Sequence, residues 1–184
     1  NNSVAGIFSN ETETAVSGEC GGVLTDSRNG KTYAAVQIGS RCWMAQNINI
    51  GTMTAGKNNQ GSDCSSAPEI EKYCYEDTES NCASDGALYQ WNQTMCGSNA
   101  AGSQGICPGG WHIPTHDEFT ALEQALCDSK TCVADFPQDT SAVGWRGTDE
   151  GRQLKTGGSS GFEAILAGYR DSDGSFRYRG AFAF

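Results

Sequence analysis

His112, His116 and Glu118 form an HxxxHxE string. On one continuous helix that spacing would turn both imidazoles to the same side, where they and the carboxylate could ligate a metal. Pro114 intervenes, disfavours helical backbone at Ile113 and leaves Thr115 where an N-cap belongs, so His112 falls before any helix. The plainer reading is that His112 satisfies a hydrogen bond beside Trp111 while His116 faces water. A second set, Asp171, Asp173 and Ser175 around Gly174, could open a calcium loop, since hard cations take carboxylate and carbonyl oxygens. The Glu that closes such a loop is missing, Phe182 standing in its place, and Asp-Gly is equally the composition of a hairpin turn. No GxSxG string supports serine chemistry, and the neighbouring carboxylates Asp149 and Glu150 would face different ways on a helix. Neither a catalytic centre nor a bound cofactor is expected.

The remaining reactive side chains are nine cysteines. None shows zinc-knuckle or CxxC spacing, and so high a density of thiols points to disulfides formed in an oxidising compartment. Short loops make Cys127 with Cys132 and Cys74 with Cys82 the expected local bridges. Cys20, Cys42, Cys64, Cys96 and Cys107 stay unassigned, and the odd count leaves one over, either a reactive thiol or a partner for a cysteine elsewhere. A net charge of −10 argues against nucleic acid, which is bound through Lys and Arg, and no run of eighteen apolar residues offers a membrane span. Nothing at the N-terminus has the layout of a signal peptide, so the chain reads as a processed extracellular or cell-surface protein.

The elements that must position these groups are short. Thr115 with Glu118 spells a capping box, Asp117 and Glu118 complement the helix dipole, and Phe119, Leu122 and Leu126 form an apolar stripe. That helix should pack on a sheet carrying Trp111, at the end of a buried strand. Residues 23–28 and 31–38 flank Asn29-Gly30 as a hairpin, and Gly39-Ser40 turns the chain into a third strand with Trp43 in the core. Residues 50–72 read as loop, and residues 83–95 as a helix capped by Ser84 or Asp85 with Leu88, Trp91 and Met95 on one stripe. Residues 128–148 are irregular, residues 148–155 hold a turn or two of helix, and residues 162–170 and 175–184 form a hairpin about Asp173-Gly174 with contacts among Tyr169, Phe176 and Tyr178. Two meanders separated by two main helices predict one loop-rich, disulfide-stapled α+β domain over residues 21–184. Residues 1–20 predict a linker, or an extended arm able to add a strand to a neighbour's sheet edge. Asn10 and Asn92 open glycosylation triplets that matter only in a host with that machinery.

Five stretches, taken together, resemble a known family: DSRNGKTYAAVQIGSRCWMAQNI from Asp26, YCYEDTESNCASDGALYQW from Tyr73, CPGGWHIPTHDEFTALEQAL from Cys107, GWRGTDEGRQLK from Gly144 and GFEAILAGYRDSDGSF from Gly161. Their order and spacing resemble the Fibrobacter succinogenes major paralogous domain, a family of secreted bacterial modules. The resemblance implies a C-type-lectin-like fold related to formylglycine-generating enzymes, with further strands and a cysteine beyond Phe184. The calcium strings of lectins are missing, Trp91-Asn92-Gln93 being only an echo, and the late catalytic cysteines of the enzymes have no counterpart. The expected function is therefore a secreted cell-surface binding or display module that takes a protein or glycan ligand at its loops. The alternative is the globular head of an extracellular filament or pilus, self-assembling through its N-terminal arm or a removed helix.

Overall fold

A computed structural model of the protein describes residues 7–8, 20–138, 141 and 146–182. The fold is mixed, with short strands, five helices and four disulfides among those residues. Its centre is a four-stranded antiparallel sheet in the order β1-β4-β3-β2, built from β1 (Ile7–Phe8), β2 (Val23–Thr25), β3 (Thr32–Ile38) and β4 (Arg41–Met44). The Gly39-Ser40 turn forms as expected, joining Ile38 to Arg41. The Asn29-Gly30 hairpin is wider than a two-residue turn, because Thr25 pairs with Thr32 and the carboxylate of Asp26 takes over the loop. Asp26 accepts from the Arg28 backbone N–H at 3.0 Å and pairs with the Arg28 guanidinium at 2.8 Å.

Strand alternation distributes two cores over the two faces of this sheet. Leu24, Tyr33 and Met44 join Ile48, Ile50, Ile70, Tyr89, Ile106 and Ile113 in the larger cluster. Ile38 and Trp43 point the other way, onto Leu122 and Phe162, with Val36 and Leu126 at the margin. Trp43 and Met44 are thus neighbours in sequence, on opposite faces, and both buried. A third cluster joins Tyr73 and Leu88 to Ala167 and Phe176.

The main helix, α3 (His116–Leu126), carries the expected capping box: Thr115 Oγ1 accepts from the Glu118 N–H at 3.2 Å, and Glu118 Oε2 accepts from the Thr115 N–H at 2.8 Å. Its Leu122 stripe packs on the sheet that carries Trp43, where the sequence suggested Trp111. Residues 107–111 form turns instead of a strand, and Trp111 is a partly buried loop residue against the larger core.

The helix expected over residues 83–95 is broken in two. α1 (Glu79–Asp85) ends at Gly86, whose φ of +81° and close approach to Asn47 no other residue type tolerates well. Ser84 and Asp85 therefore close a helix in place of opening one. Ala87 and Leu88 run extended, because their backbone pairs with Ile48 and Tyr73 at 2.9–3.0 Å, and helix resumes only at α2 (Trp91–Thr94). Within residues 50–72, β5 (Thr52–Met53) and β6 (Glu71–Lys72) form a parallel pair where only loop was expected. α4 (Cys132–Asp135) interrupts the irregular stretch after α3, part of which lies outside the described residues, and α5 (Glu150–Leu154) matches its expected turns. The last hairpin shrinks to β7 (Tyr169–Arg170) and β8 (Phe176–Arg177). Phe162 leaves it to enter the Trp43 core, and Phe176 packs on Tyr75 while Tyr169 meets Tyr178.

Of the expected arm, only Ile7–Phe8 and Cys20 are described, the rest with Asn10 lying outside. Ile7 and Phe8 pair with Trp43 and Cys42 of the same chain.

Candidate binding site

The residues singled out for chemistry lie in three places. Glu118 is buried at the N-terminus of α3, where His112 Nε2 lies 3.0 Å from it and Arg41 Nη1 2.9 Å, tying the helix to β4. His116 is exposed on the first turn. At the last hairpin, Arg177 pairs with Asp171 and with Asp173, each at 3.0 Å, while the Ser175 hydroxyl and N–H both donate to Asp173. Those Ser175 bonds, with Arg177, hold the Asp173 carboxyl below its ordinary range. The oxygens proposed for calcium are thus engaged by a cation of the chain. Among the described residues, no three His, Cys, Asp or Glu side chains gather as a metal site.

The bridges expected from short loops, Cys74–Cys82 and Cys127–Cys132, are present. Cys20–Cys42 fastens the start of the domain to β4, and Cys64–Cys96 joins the 50–72 segment to the end of α2. Cys107 is the free thiol, fully buried, and burial pushes its pKa upward, which disfavours the thiolate.

A recess that sequence reading missed lies at the start of α2. It holds about 480 Å³ and is lined by Asn59, Gln60, Gln90, Trp91 and Asn92. Trp91 is 54% exposed although α2 otherwise buries Gln93 and Thr94. Gln60 and Gln90 clasp one another across the chain: the Gln60 N–H donates to Gln90 Oε1 at 2.7 Å and the Gln90 N–H to Gln60 Oε1 at 2.6 Å. Beneath them, buried Gln93 accepts from the Glu71 N–H at 3.1 Å and donates to the Asp63 carbonyl at 3.0 Å. The wall is therefore fixed before any ligand arrives, and its lining consists of one indole and four neutral carboxamides. The signal available in the sequence was Gln90-Trp91-Asn92-Gln93, an amide run around a tryptophan, masked by the apparent Leu88/Trp91/Met95 stripe.

A second cleft, of about 540 Å³, opens between β3, the segment after β4 and α1, with Lys31, Tyr33, Asn47, Asn49, Glu79 and Ser84 in its lining. Behind it the Lys72 side chain is nearly buried, donating to Asn49 Oδ1 at 2.8 Å and pairing with Glu79 Oε1 at 2.6 Å. Asn49 also donates from Nδ2 to the Cys82 carbonyl at 2.7 Å, and its own carbonyl accepts from Lys31 Nζ at 2.9 Å. Burial, then the charge of Lys72, holds the Lys31 ammonium below its ordinary pKa.

Asp85, beside the same cleft, couples it to the C-terminal segment. Burial alone would raise its pKa, but hydrogen bonds from Arg179 Nε and Ser84 Oγ, each at 2.6 Å, outweigh that and depress it below 3.8. A depressed carboxyl stabilises the fold above its unfolded pKa, and that stabilisation disappears as pH falls through the folded value. Arg179→Ala is expected to be less stable than wild type in urea at neutral pH, the gap narrowing as pH falls below the ordinary Asp value of 3.8. A gap that persists undiminished in acid would contradict this role.

No curated protein and no solved structure matches the chain. The family model of the Fibrobacter succinogenes major domain matches residues 36–184. That span takes in β4, all five helices, the Trp91 recess and the last hairpin, while the cleft beside α1 also draws on Lys31 and Tyr33 from before it, and the chain belongs to the Fibrobacter succinogenes major domain family.

Proposed function

We propose that this protein is a secreted, non-catalytic binding module of C-type-lectin-like architecture, presented at a cell surface, and that its ligand is a glycan seated at the Trp91 recess. The observation that carries the reading is the exposed indole of Trp91 set among Asn59, Gln60, Gln90 and Asn92. A pyranose ring offers an apolar C–H face that covers an indole and a rim of hydroxyls that pair with carboxamides, which both donate and accept. An uncharged lining favours a neutral sugar over a uronate or phosphate ester. Four disulfides suit an oxidising, extracellular setting.

The test is an array of neutral oligosaccharides, followed by calorimetry on whatever binds. Trp91→Ala is expected to weaken binding at least about tenfold while leaving the unfolding midpoint unchanged, as for an aromatic anchor. Undiminished binding by that variant, or no binding of any neutral glycan, would overturn the assignment.

Assembly into filaments is the second reading, favoured by one feature: the edge of β4 is occupied by the two-residue strand Ile7–Phe8, which a neighbouring copy could supply instead. Fibres that vanish on deletion of residues 1–20 would support it. A strictly monomeric full chain would remove it.

A further inference from the structure

We propose that Lys72 and Asn49 become joined by an intramolecular isopeptide bond, formed by attack of the lysine amine on the asparagine carboxamide with Glu79 as proton carrier. The proposal concerns a different site from the glycan recess and stands apart from it.

Three side chains of the right kinds meet here, drawn from three separated segments. Lys72 lies on β6, Asn49 on the stretch after β4, and Glu79 opens α1. Lys72 is 4% exposed and Asn49 8%, so the reacting pair is screened from bulk water. Lys72 Nζ sits 2.8 Å from Asn49 Oδ1, one bond from the carboxamide carbon, and 2.6 Å from Glu79 Oε1. Proximity of this kind replaces a bimolecular encounter with a held pair, which lowers the barrier between an amine and an unactivated amide. Asn49 cannot swing away: its Nδ2 donates to the Cys82 carbonyl at 2.7 Å, its N–H donates to Tyr33 Oη at 3.0 Å, and its carbonyl accepts from Lys31. The Cys74–Cys82 bridge closes one wall, with Cys74 Sγ 3.5 Å from the second oxygen of Glu79.

The protons and bonds balance. Lys72 passes a proton to the Glu79 carboxylate, and the freed amine forms the Nζ–Cγ bond while the carbonyl electrons move onto Oδ1. The tetrahedral centre collapses by scission of the Cγ–Nδ2 bond. Glu79 protonates the departing nitrogen, the proton that Nζ sheds on acylation leaves with it as ammonium, and Glu79 is again a carboxylate. One amide replaces another, with no oxidant or reductant. Glu79, 60% exposed in its side chain, stands at the mouth of the 540 Å³ cleft, which gives the ammonium its way out. The product also removes a buried cation facing Lys31, whose own ammonium feels that charge. The cross-link would tie the segment after β4 to β6 irreversibly, where the disulfides are open to reduction.

Intact mass of the full chain, reduced and denatured, decides the matter. The expected mass is that of the sequence less one ammonia, and digestion should yield a branched peptide linking Lys72 to Asn49. Lys72→Met and Asn49→Ala are each expected at full sequence mass, and Glu79→Gln should remain unlinked while folded by circular dichroism. A wild-type chain at full sequence mass would overturn the proposal whatever the variants do. So would ammonia loss traced to a linear peptide carrying a succinimide at Asn49, which hydroxylamine opens.

Discussion

Trp43→Ala should destabilise the domain by about 3–5 kcal/mol, a large share of the 5–15 kcal/mol that holds a typical domain folded. The indole is fully buried between β4 and α3, with Phe119 at 6.1 Å and Phe162 at 6.0 Å, both edge-on. Removing it opens a cavity at the meeting point of the sheet, the capped helix and the start of the C-terminal segment, and none of the three can collapse alone to fill it. Trp43→Phe should cost much less, because the Trp43 Nε1 hydrogen has no partner among the described residues and its loss forfeits no hydrogen bond. Urea unfolding followed by far-ultraviolet circular dichroism measures both. A loss below about 1.5 kcal/mol for the alanine variant would mean that the Trp43 cluster is not a well-packed core.

Replacing Cys64 and Cys96 together by Ala should rank next. The bridge spans 32 residues, and loop-closure entropy alone assigns it about 4 kcal/mol, against about 2 kcal/mol for Cys127–Cys132, which spans 5. It also fastens the strip bearing Asn59 and Gln60 to the end of α2, where Gln93 reaches the Asp63 carbonyl. The double variant should therefore lose both stability and the ordered Trp91 recess, whereas removal of Cys127–Cys132 should leave glycan binding intact. Equal losses of stability from the two bridges, measured in matched denaturant titrations, would count against the entropic argument.

Correct expectations came where the deciding interaction spans a handful of residues. The Thr115/Glu118 box, the Gly39-Ser40 turn, the α5 turns and the two short-loop disulfides all close within eight positions, so composition and spacing specify them. Errors came where a distant backbone competed. Leu88, Trp91 and Met95 do have helical spacing, yet Tyr73 and Ile48 claim the Ala87 and Leu88 backbone, and Gly86 lets the chain turn to meet them. Trp111 reads as a strand residue by its apolar surroundings, but its segment closes a turn in which the Trp111 N–H donates to the Pro108 carbonyl, and the indole packs on the larger core from that loop.

By itself, then, the sequence determined an acidic, cysteine-rich domain with one capped helix and a β-meander, because each of these depends on residue type and local spacing. Tertiary structure alone decided which groups face one another. Gln60 and Gln90 meet across 30 positions, Asn49 and Lys72 across 23, and Cys64 and Cys96 across 32. No periodicity records such encounters, since they arise only when the two faces of the central sheet bury their separate cores and draw the intervening loops together.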